Sequence, residues 1–379
     1  MNRYLTLDDV DVAGVAVLVR ADLNVPLDRG RVADDFRLRA ALPTLETLVD
    51  RGAKARVCSH LGRPKGVDLA YSLRPVAARL DELSRYEVAF EVGGEITVLE
   101  NTRFLAGETS NDPGTARMLA QGVDLFVQDA FGSVHRAHAS TVGVAELVRS
   151  VAGPLLDTEL QALGYFLGDP DRPYTVVLGG AKVSDKLGVI ENLLPRVDHM
   201  LIGGAMCFTF LAALGTPAGA SLVEEGMVSE VRRLLEGGHG HKISLPKDLV
   251  VANRFAEDAV AQTLPVGEVP PDGIGLDIGP DTAAAFTATV RSSASVFWNG
   301  PMGVFEWERF RSGTEAVAKA LADCDGFTAV GGGDSVAALR QLGLDGTVSH
   351  LSTGGGAGLM LLEGRDLPGV AVLGRWAHE

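Results

Sequence analysis

The stretch "TVVLGGAKVSDK" (175–186) decides how the second half of the chain is read. A β-branched, apolar run ends in two glycines, and two lysines four apart, Lys182 and Lys186, follow at once. A continuous apolar run marks a strand buried on both faces, and such strands belong to parallel sheets covered by helices. Residues four apart share a helix face, so both ammonium groups are expected together near a positively polarised helix N-terminus. They repel each other there unless an anion lies between them. The alternative is two surface lysines splayed into solvent.

The same phrase recurs outward in both directions. Short apolar runs ending in Gly, Asp, Asn or His are followed by helical patterns. The first half has "VAVLVRADLN" (15–24), "KARVCSH" (54–60), "EITVLENTRF" (95–104) and "VDLFVQDAFG" (123–132). The second half has "HMLIGG" (199–204), "DLVVA" (248–252), "SVFWNG" (295–300), "FTAVGGG" (327–333) and "VSHLSTGGG" (348–356). Strands alternating with helices imply parallel sheets, so the expectation is two α/β domains. Beyond about 250–300 residues single cores give way to several domains, which agrees with 379 residues. The boundary falls near 152–174, with a helix over 155–167 and then a Pro/Asp-rich break.

Composition narrows the function classes. The net charge of −15 argues against non-specific nucleic-acid binding, so an acidic ligand needs a local basic island. No apolar run reaches the roughly 18 residues of a membrane span, and the N-terminus lacks a signal-peptide pattern. Three scattered cysteines, Cys58, Cys207 and Cys324, suit core or near-core positions in a reducing cytoplasm.

Ligands of such folds sit outside the carboxyl ends of the strands. The first half ends its strands in Asp22, Asn24, His60, Arg63, Arg103, Asp129, His135, Arg136 and His138, a set suited to a small anion. The second half ends them in glycines with Lys182, Lys186, Asn299 and Asp334, a set suited to phosphates. "GGGDS" (331–335) and "STGGGAG" (352–358) each open a helical stretch, where free N–H groups hold phosphate and glycine admits it closely. One such turn is as easily ligand-free; several together favour a nucleotide. "GIGLDIG" (273–279) has the wrong spacing for a dinucleotide fingerprint and reads as a loop, and no P-loop signature occurs. "GHGHK" (238–242) reads as solvent-facing. In "HRAH" (135–138) Arg136 would repel a metal and favours an anion.

Together the motifs resemble one family. "GGAKVSDK", "RADLNVP" (20–26), "DDFRLRAALP" (34–43), "SHLGRPKG" (59–66), "ENTRF" (100–104), "DAFGSVHRAHAST" (129–141), "GLDIGP" (275–280), "WNGPMGVFE" (298–306), "GGGDS" and "STGGGA" resemble the signatures of phosphoglycerate kinase, in that family's order. The resemblance implies two doubly wound domains facing across a hinged cleft. Residues 1–152, with a returning C-terminal tail of about 366–379, would bind 3-phosphoglycerate. Residues 153–169 would form the linking helix, and 170–365 would bind Mg-ATP or Mg-ADP. It further implies reversible transfer of the γ-phosphoryl group to the substrate carboxylate, giving 1,3-bisphosphoglycerate and ADP in a direct in-line step. Asp22, Asn24, His60, Arg63, Arg103 and Arg136 would hold the substrate. Arg37 and Lys182 would stabilise the transferring group. Lys186, Gly204, Gly275, Asn299, Glu306, Gly332, Gly333, Asp334 and Ser335 would bind nucleotide, with Asp334 as the Mg²⁺ ligand. A cytoplasmic monomer acting on small molecules, without nucleic acid or membrane, completes what the resemblance implies.

Some positions depart from the family's usual pattern: Ala21, Leu23, Thr102, Gln128, Gly358 and Met360. The stretch 84–101 is also shorter by about a dozen residues, enough for a helix and its loop. Every charged ligand-binding position is retained. The departures around Asp22 leave room for an alternative acceptor, a close analogue such as 3-phosphonolactate carrying the same dianion and carboxylate.

Overall fold

A computed structural model of the chain describes residues 4–378. It divides into two compact units, Met1–Gln161 with Asp366–Glu379, and Ala162–Arg365. Met1–Arg3 and Glu379 lie outside the described residues.

The first unit carries a six-stranded sheet. Its strands are β1 (Ala16–Arg20), β2 (Lys54–Cys58), β3 (Val88–Phe90), β4 (Ile96–Val98), β5 (Leu125–Gln128) and β6 (Ser150–Ala152), in the order β3-β4-β2-β1-β5-β6. All neighbours pair in parallel. Val17, Leu18 and Val19 of β1 are wholly buried, as the continuous apolar run requires. Helix α1 (Phe36–Asp50) turns Leu38, Ala41, Leu42, Leu45 and Leu48 into the core, an i, i+3/i+4 stripe. Strand order reverses about β1, so the ends of β1, β2 and β5 open onto one crevice.

The shortened stretch 84–101 has a definite form. Parallel strands normally need a crossover of a dozen residues or more. Here β3 and β4 pair in parallel, Val88 opposite Ile96, with only Glu91–Glu95 between them. The strands are three residues each, so the return path is short. Glu91, Gly93 and Gly94 adopt positive φ to make it. Gly94 cannot be replaced freely, because a Cβ there would meet Ala89 N and Glu87 O at 2.9 Å. No helix stands between these strands.

Helix α2 (Pro154–Tyr165) spans the sequence boundary between the units. It ends two residues before Leu167, where Gly164 and the Gly168 N–H→Gly164 O bond close the last turn. Its first amides, Leu155 N–H and Leu156 N–H, donate to Asp129 Oδ1 at 2.9 and 3.2 Å. Burial pushes the Asp129 carboxyl up to about 7, against these hydrogen bonds.

The second unit holds another six-stranded parallel sheet, from β7 (Tyr174–Leu178), β8 (His199–Ile202), β9 (Ile243–Ser244), β13 (Ser295–Asn299), β14 (Phe327–Gly331) and β15 (His350–Leu351), in the order β9-β8-β7-β13-β14-β15. Beside it lies a feature absent from the sequence reading, a three-stranded antiparallel sheet of β10 (Asp248–Ala252), β11 (Ala261–Pro265) and β12 (Ile274–Ile278), ordered β11-β10-β12. The "DLVVA" run is therefore antiparallel to both neighbours. "GIGLDIG" is β12 and not a loop: Ile274, Leu276 and Ile278 alternate with Gly275 and Asp277, a period of two outweighed by the glycines.

The C-terminal tail packs within the first unit. Gly369 N–H donates to Val134 O at 2.8 Å, and Trp376 Nε1 donates to Ala145 O at 2.8 Å.

Candidate active site

In the first unit the strand ends assemble a cluster of arginines. Arg37, at the start of α1, pairs with Asp22 Oδ1 at 3.2 Å and donates to Asn24 O at 3.1 Å. Asn24 Oδ1 accepts from Gly62 N–H at 2.8 Å, which ties the β1 loop to the "HLGR" turn. Arg103 donates to Gly62 O on the other side of that turn. Arg63 is exposed, and Arg136 Nε donates to His135 Nε2 at 3.0 Å. Thus Asp22, Asn24, Arg37, His60, Arg63, Arg103 and Arg136 are brought together.

The electrostatics are those of an anion site. Desolvation, then Arg136, Arg63 and Arg20, lower the pKa of Arg103. The His60 pKa lies well below its ordinary value, first through burial, then through Arg20, Arg103, Arg136 and Arg37. Like charges massed this way in a chain of net charge −15 make a local sink for a dianion, which the planar guanidinium forks can grip at two points.

Sequence reasoning missed Arg20. It closes an apolar strand, and its side chain is 1% exposed beneath the cluster. A charged residue ending a buried run was the available signal. Ala21 and Leu23, the departures flanking Asp22, are buried among the core hydrophobics.

In the second unit a cavity of about 350 Å³ opens at the strand ends, within the size range of small-ligand sites. Gly204, Gly275, Glu306 and Asp334 line it. Gly204 has φ +63°, and a Cβ would strike Gly180 N and O at 2.4 and 2.6 Å. Gly275 lies against the Phe208 ring, where a Cβ would reach Cζ at 2.0 Å. One wall is apolar, with Phe208, Leu222, Phe255, Leu276 and Val304. This wall was invisible in the sequence because it draws single residues from five segments. Phe255 packs against Trp307 at a tilt, with centroids 4.8 Å apart.

The lysines need a correction. They do not share a helix face: helix α3 (Leu187–Leu193) begins after Lys186, which is its N-cap residue, and Lys182 lies in the preceding loop. The cause is local. Glu224 takes Ser184 N–H at 3.1 Å and Ser184 Oγ–H at 2.7 Å, which holds 183–186 as a turn and delays the helix. Lys182 is exposed, whereas Lys186 is half-buried. Desolvation lowers Lys186 to about 8, opposed by Asp185 and Asp334. Asp334 sits in the first turn of helix α4 (Gly333–Gln341), after Gly332 at φ +91°. Gly333 has open space around it. Asn299 is buried beside Gly332, and Ser335 is wholly buried, its Oγ accepting from Gly300 N–H at 2.6 Å. Ser335 therefore braces the glycine turn from behind.

No group of three or more His, Cys, Asp or Glu side chains able to hold a metal occurs among the described residues. The histidines of "GHGHK" are exposed. No helix among the described residues is long and apolar enough to cross a membrane.

An α/β protein with an arginine-rich anion cluster on one unit and a cavity beside phosphate-type glycine turns on the other is of the class that handles phosphorylated small molecules. The family model described as phosphoglycerate kinase matches residues 7–365. A phosphoglycerate kinase of Salinispora arenicola is 54% identical over 394 aligned positions, covering 97% of this chain and 98% of that protein. One of Rubrobacter xylanophilus is 53% identical, with 96% and 97% covered. The phosphoglycerate kinase structure from Coxiella burnetii superposes with a TM-score of 0.91 at 37% identity, over 99% of this chain and 100% of that one. That from Pyrococcus horikoshii gives 0.87 at 31%, with 99% of each covered. The chain belongs to the phosphoglycerate kinase family.

Proposed function

We propose that this protein transfers the γ-phosphoryl group of ATP reversibly to the carboxylate of 3-phosphoglycerate, giving 1,3-bisphosphoglycerate and ADP. The observation that carries the reading is the arginine cluster, which gives an acidic protein a site for a phosphate-bearing acid. Arg63, Arg103, Arg136 and His60 hold the acceptor, Asp22 and Asn24 take its hydroxyl, and Arg37 faces the reacting carboxylate. The second unit holds the nucleotide. Its base lies against the Phe208–Phe255 wall, its ribose at Glu306, and its phosphates at the Gly332–Asp334 turn and Lys186.

The acceptor carboxylate is already ionised, so the chain needs no general base. A carboxylate oxygen bonds to the γ-phosphorus as the bond to the β,γ-bridging oxygen breaks, and ADP departs. Catalysis is then alignment and charge neutralisation, supplied by Arg37 and by the exposed Lys182. The donor set fits Mg²⁺: Asp334 offers one carboxylate beside the phosphate turn, and Mg²⁺ usually takes one or two carboxylates plus phosphate oxygens and water. When bound it would neutralise charge on the phosphate chain. A monomer in the cytoplasm, free of nucleic acid and membrane, goes with this reading.

The product gives the test. An acyl phosphate is trapped by hydroxylamine as a hydroxamate. Incubation with Mg-ATP and 3-phosphoglycerate should yield hydroxamate and ADP in equal amounts; ADP without hydroxamate would refute acyl transfer.

A further inference from the structure

Glu108 and Arg20 are among the fully buried charged side chains that phosphoryl transfer leaves unused. Each is costly to bury alone, and they are not in direct contact. A serine joins them. Ser140 lies in a single π-helical turn, Ala139–Gly143, itself an uncommon local form that tends to mark functional sites. Its N–H and Oγ–H both point to Glu108, at 3.0 Å to Oε2 and 2.6 Å to Oε1. Its remaining Oγ lone pair accepts from Arg20 Nε at 3.0 Å. Arg20 NH2 in turn lies 3.0 Å from His60 Nδ1.

The chemistry of these groups fixes every proton. Guanidinium is donor-only, so His60 Nδ1 must be the acceptor. The ring proton then resides on Nε2. A serine hydroxyl has one hydrogen, and Glu108 takes it. The chain runs in one direction, from the Glu108 carboxylate through Ser140 and Arg20 to the imidazole. A second proton on His60 would set Nδ1–H against Arg20, while Arg37, Arg103 and Arg136 oppose the charge from the other elements around it.

We propose that Glu108, Ser140 and Arg20 are positioning residues that lock His60 as the neutral Nε2–H tautomer, so that it serves the acceptor's anion as an uncharged hydrogen-bond donor. The inference rests on the proposed placement of the acceptor at this cluster. In a site already crowded with guanidinium groups, a neutral donor adds directionality without further repulsion. It also makes acceptor affinity independent of His60 titration near neutral pH.

The test is ¹⁵N NMR of the full-length, histidine-labelled protein, with His60 assigned by His60→Gln. At about pH 7 the wild-type ring should show Nε2–H and an unprotonated Nδ1, and inorganic phosphate should shift the Nε2–H signal without charging the ring. In Ser140→Ala the Nδ1–H tautomer should appear, while burial and the surrounding arginines keep the ring's pKa low. KM for 3-phosphoglycerate should then rise as the Nε2–H donor is lost, with kcat within about twofold of wild type. Glu108→Gln should likewise admit the Nδ1–H tautomer, while loss of the carboxylate's charge pushes the ring's pKa further down. A wild-type ring found as Nδ1–H or as imidazolium overturns the proposal, and needs no variant to fold. So does an unchanged tautomer in both variants. Absence of turnover with 3-phosphoglycerate strikes the assigned acceptor instead, because the spectra and the phosphate titration do not depend on catalysis.

Discussion

Lys186 gives a prediction whose size follows from its surroundings. Its amine sits half-buried at the head of α3 and titrates near 8 instead of the ordinary 10.5, because burial penalises the ammonium more than Asp185 and Asp334 favour it. Nucleotide phosphates placed against it favour the charged form and raise the pKa back towards about 10.5. The nucleotide complex then holds more protons than the free protein above pH 8, so affinity must fall as pH rises. With those two pKa values, ADP should bind about eightfold more weakly at about pH 9 than at about pH 7.5, a loss of about 1.2 kcal/mol. The same depressed pKa means that, without nucleotide, stability gains from this group as pH climbs from 8 towards 10.5, since the unfolded chain binds the extra proton there. Isothermal titration in two buffers of different ionisation enthalpy reads both affinity and proton uptake. Uptake should approach about one proton per ADP at the higher pH. Lys186→Met should bind weakly with no slope. Equal ADP affinity at both pH values, or a slope retained in Lys186→Met, refutes the reasoning.

Other perturbations follow from the same geometry. Lys182→Ala should lower kcat by about a hundredfold or more while ADP affinity stays within about tenfold, the signature of a contact made in the transition state; unchanged turnover would remove Lys182 from the chemistry. Gly204→Ala combines positive-φ strain with a Cβ driven into Gly180 backbone. Together these should cost about 2–5 kcal/mol, read as a lower midpoint in thermal or urea unfolding, and an unmoved midpoint would contradict the packing. Gly94→Ala strains the five-residue crossover from β3 to β4 and should cost about 1–3 kcal/mol in the same assay, with ADP affinity unchanged because the residues proposed to bind nucleotide lie on the other unit.

Much of the architecture was readable because buried parallel strands have one simple signature. "VAVLV" and "TVVL" can be little else once helical stretches flank them. The three-stranded antiparallel sheet was not readable in the same way. β12 spends its alternation on glycine and aspartate: Gly275 must admit the Phe208 ring, and Asp277 accepts Gly313 N–H at 2.8 Å at the start of the later helix Ser312–Ala322. Those demands masked the strand. Lys182 and Lys186 lie off a common helix face for a long-range reason. Glu224, some forty residues on, holds Ser184 in a turn that spacing alone cannot reveal. The charged candidate ligand residues stood out because charge at the end of an apolar run has few structural uses. The apolar cavity wall and Arg20 did not, since hydrophobic residues and a buried cation look like core and strand until the packing is seen.

The central claim is that the arginine cluster presents a phosphorylated carboxylic acid to the γ-phosphoryl group of ATP. The most direct test is steady-state ATP consumption with 3-phosphoglycerate and, separately, with 3-phosphonolactate, each coupled to removal of the acyl phosphate. The account predicts efficient turnover of 3-phosphoglycerate and its loss in Arg37→Ala. No turnover with 3-phosphoglycerate, or a clear preference for the phosphonate, would contradict the acceptor assigned to the first unit.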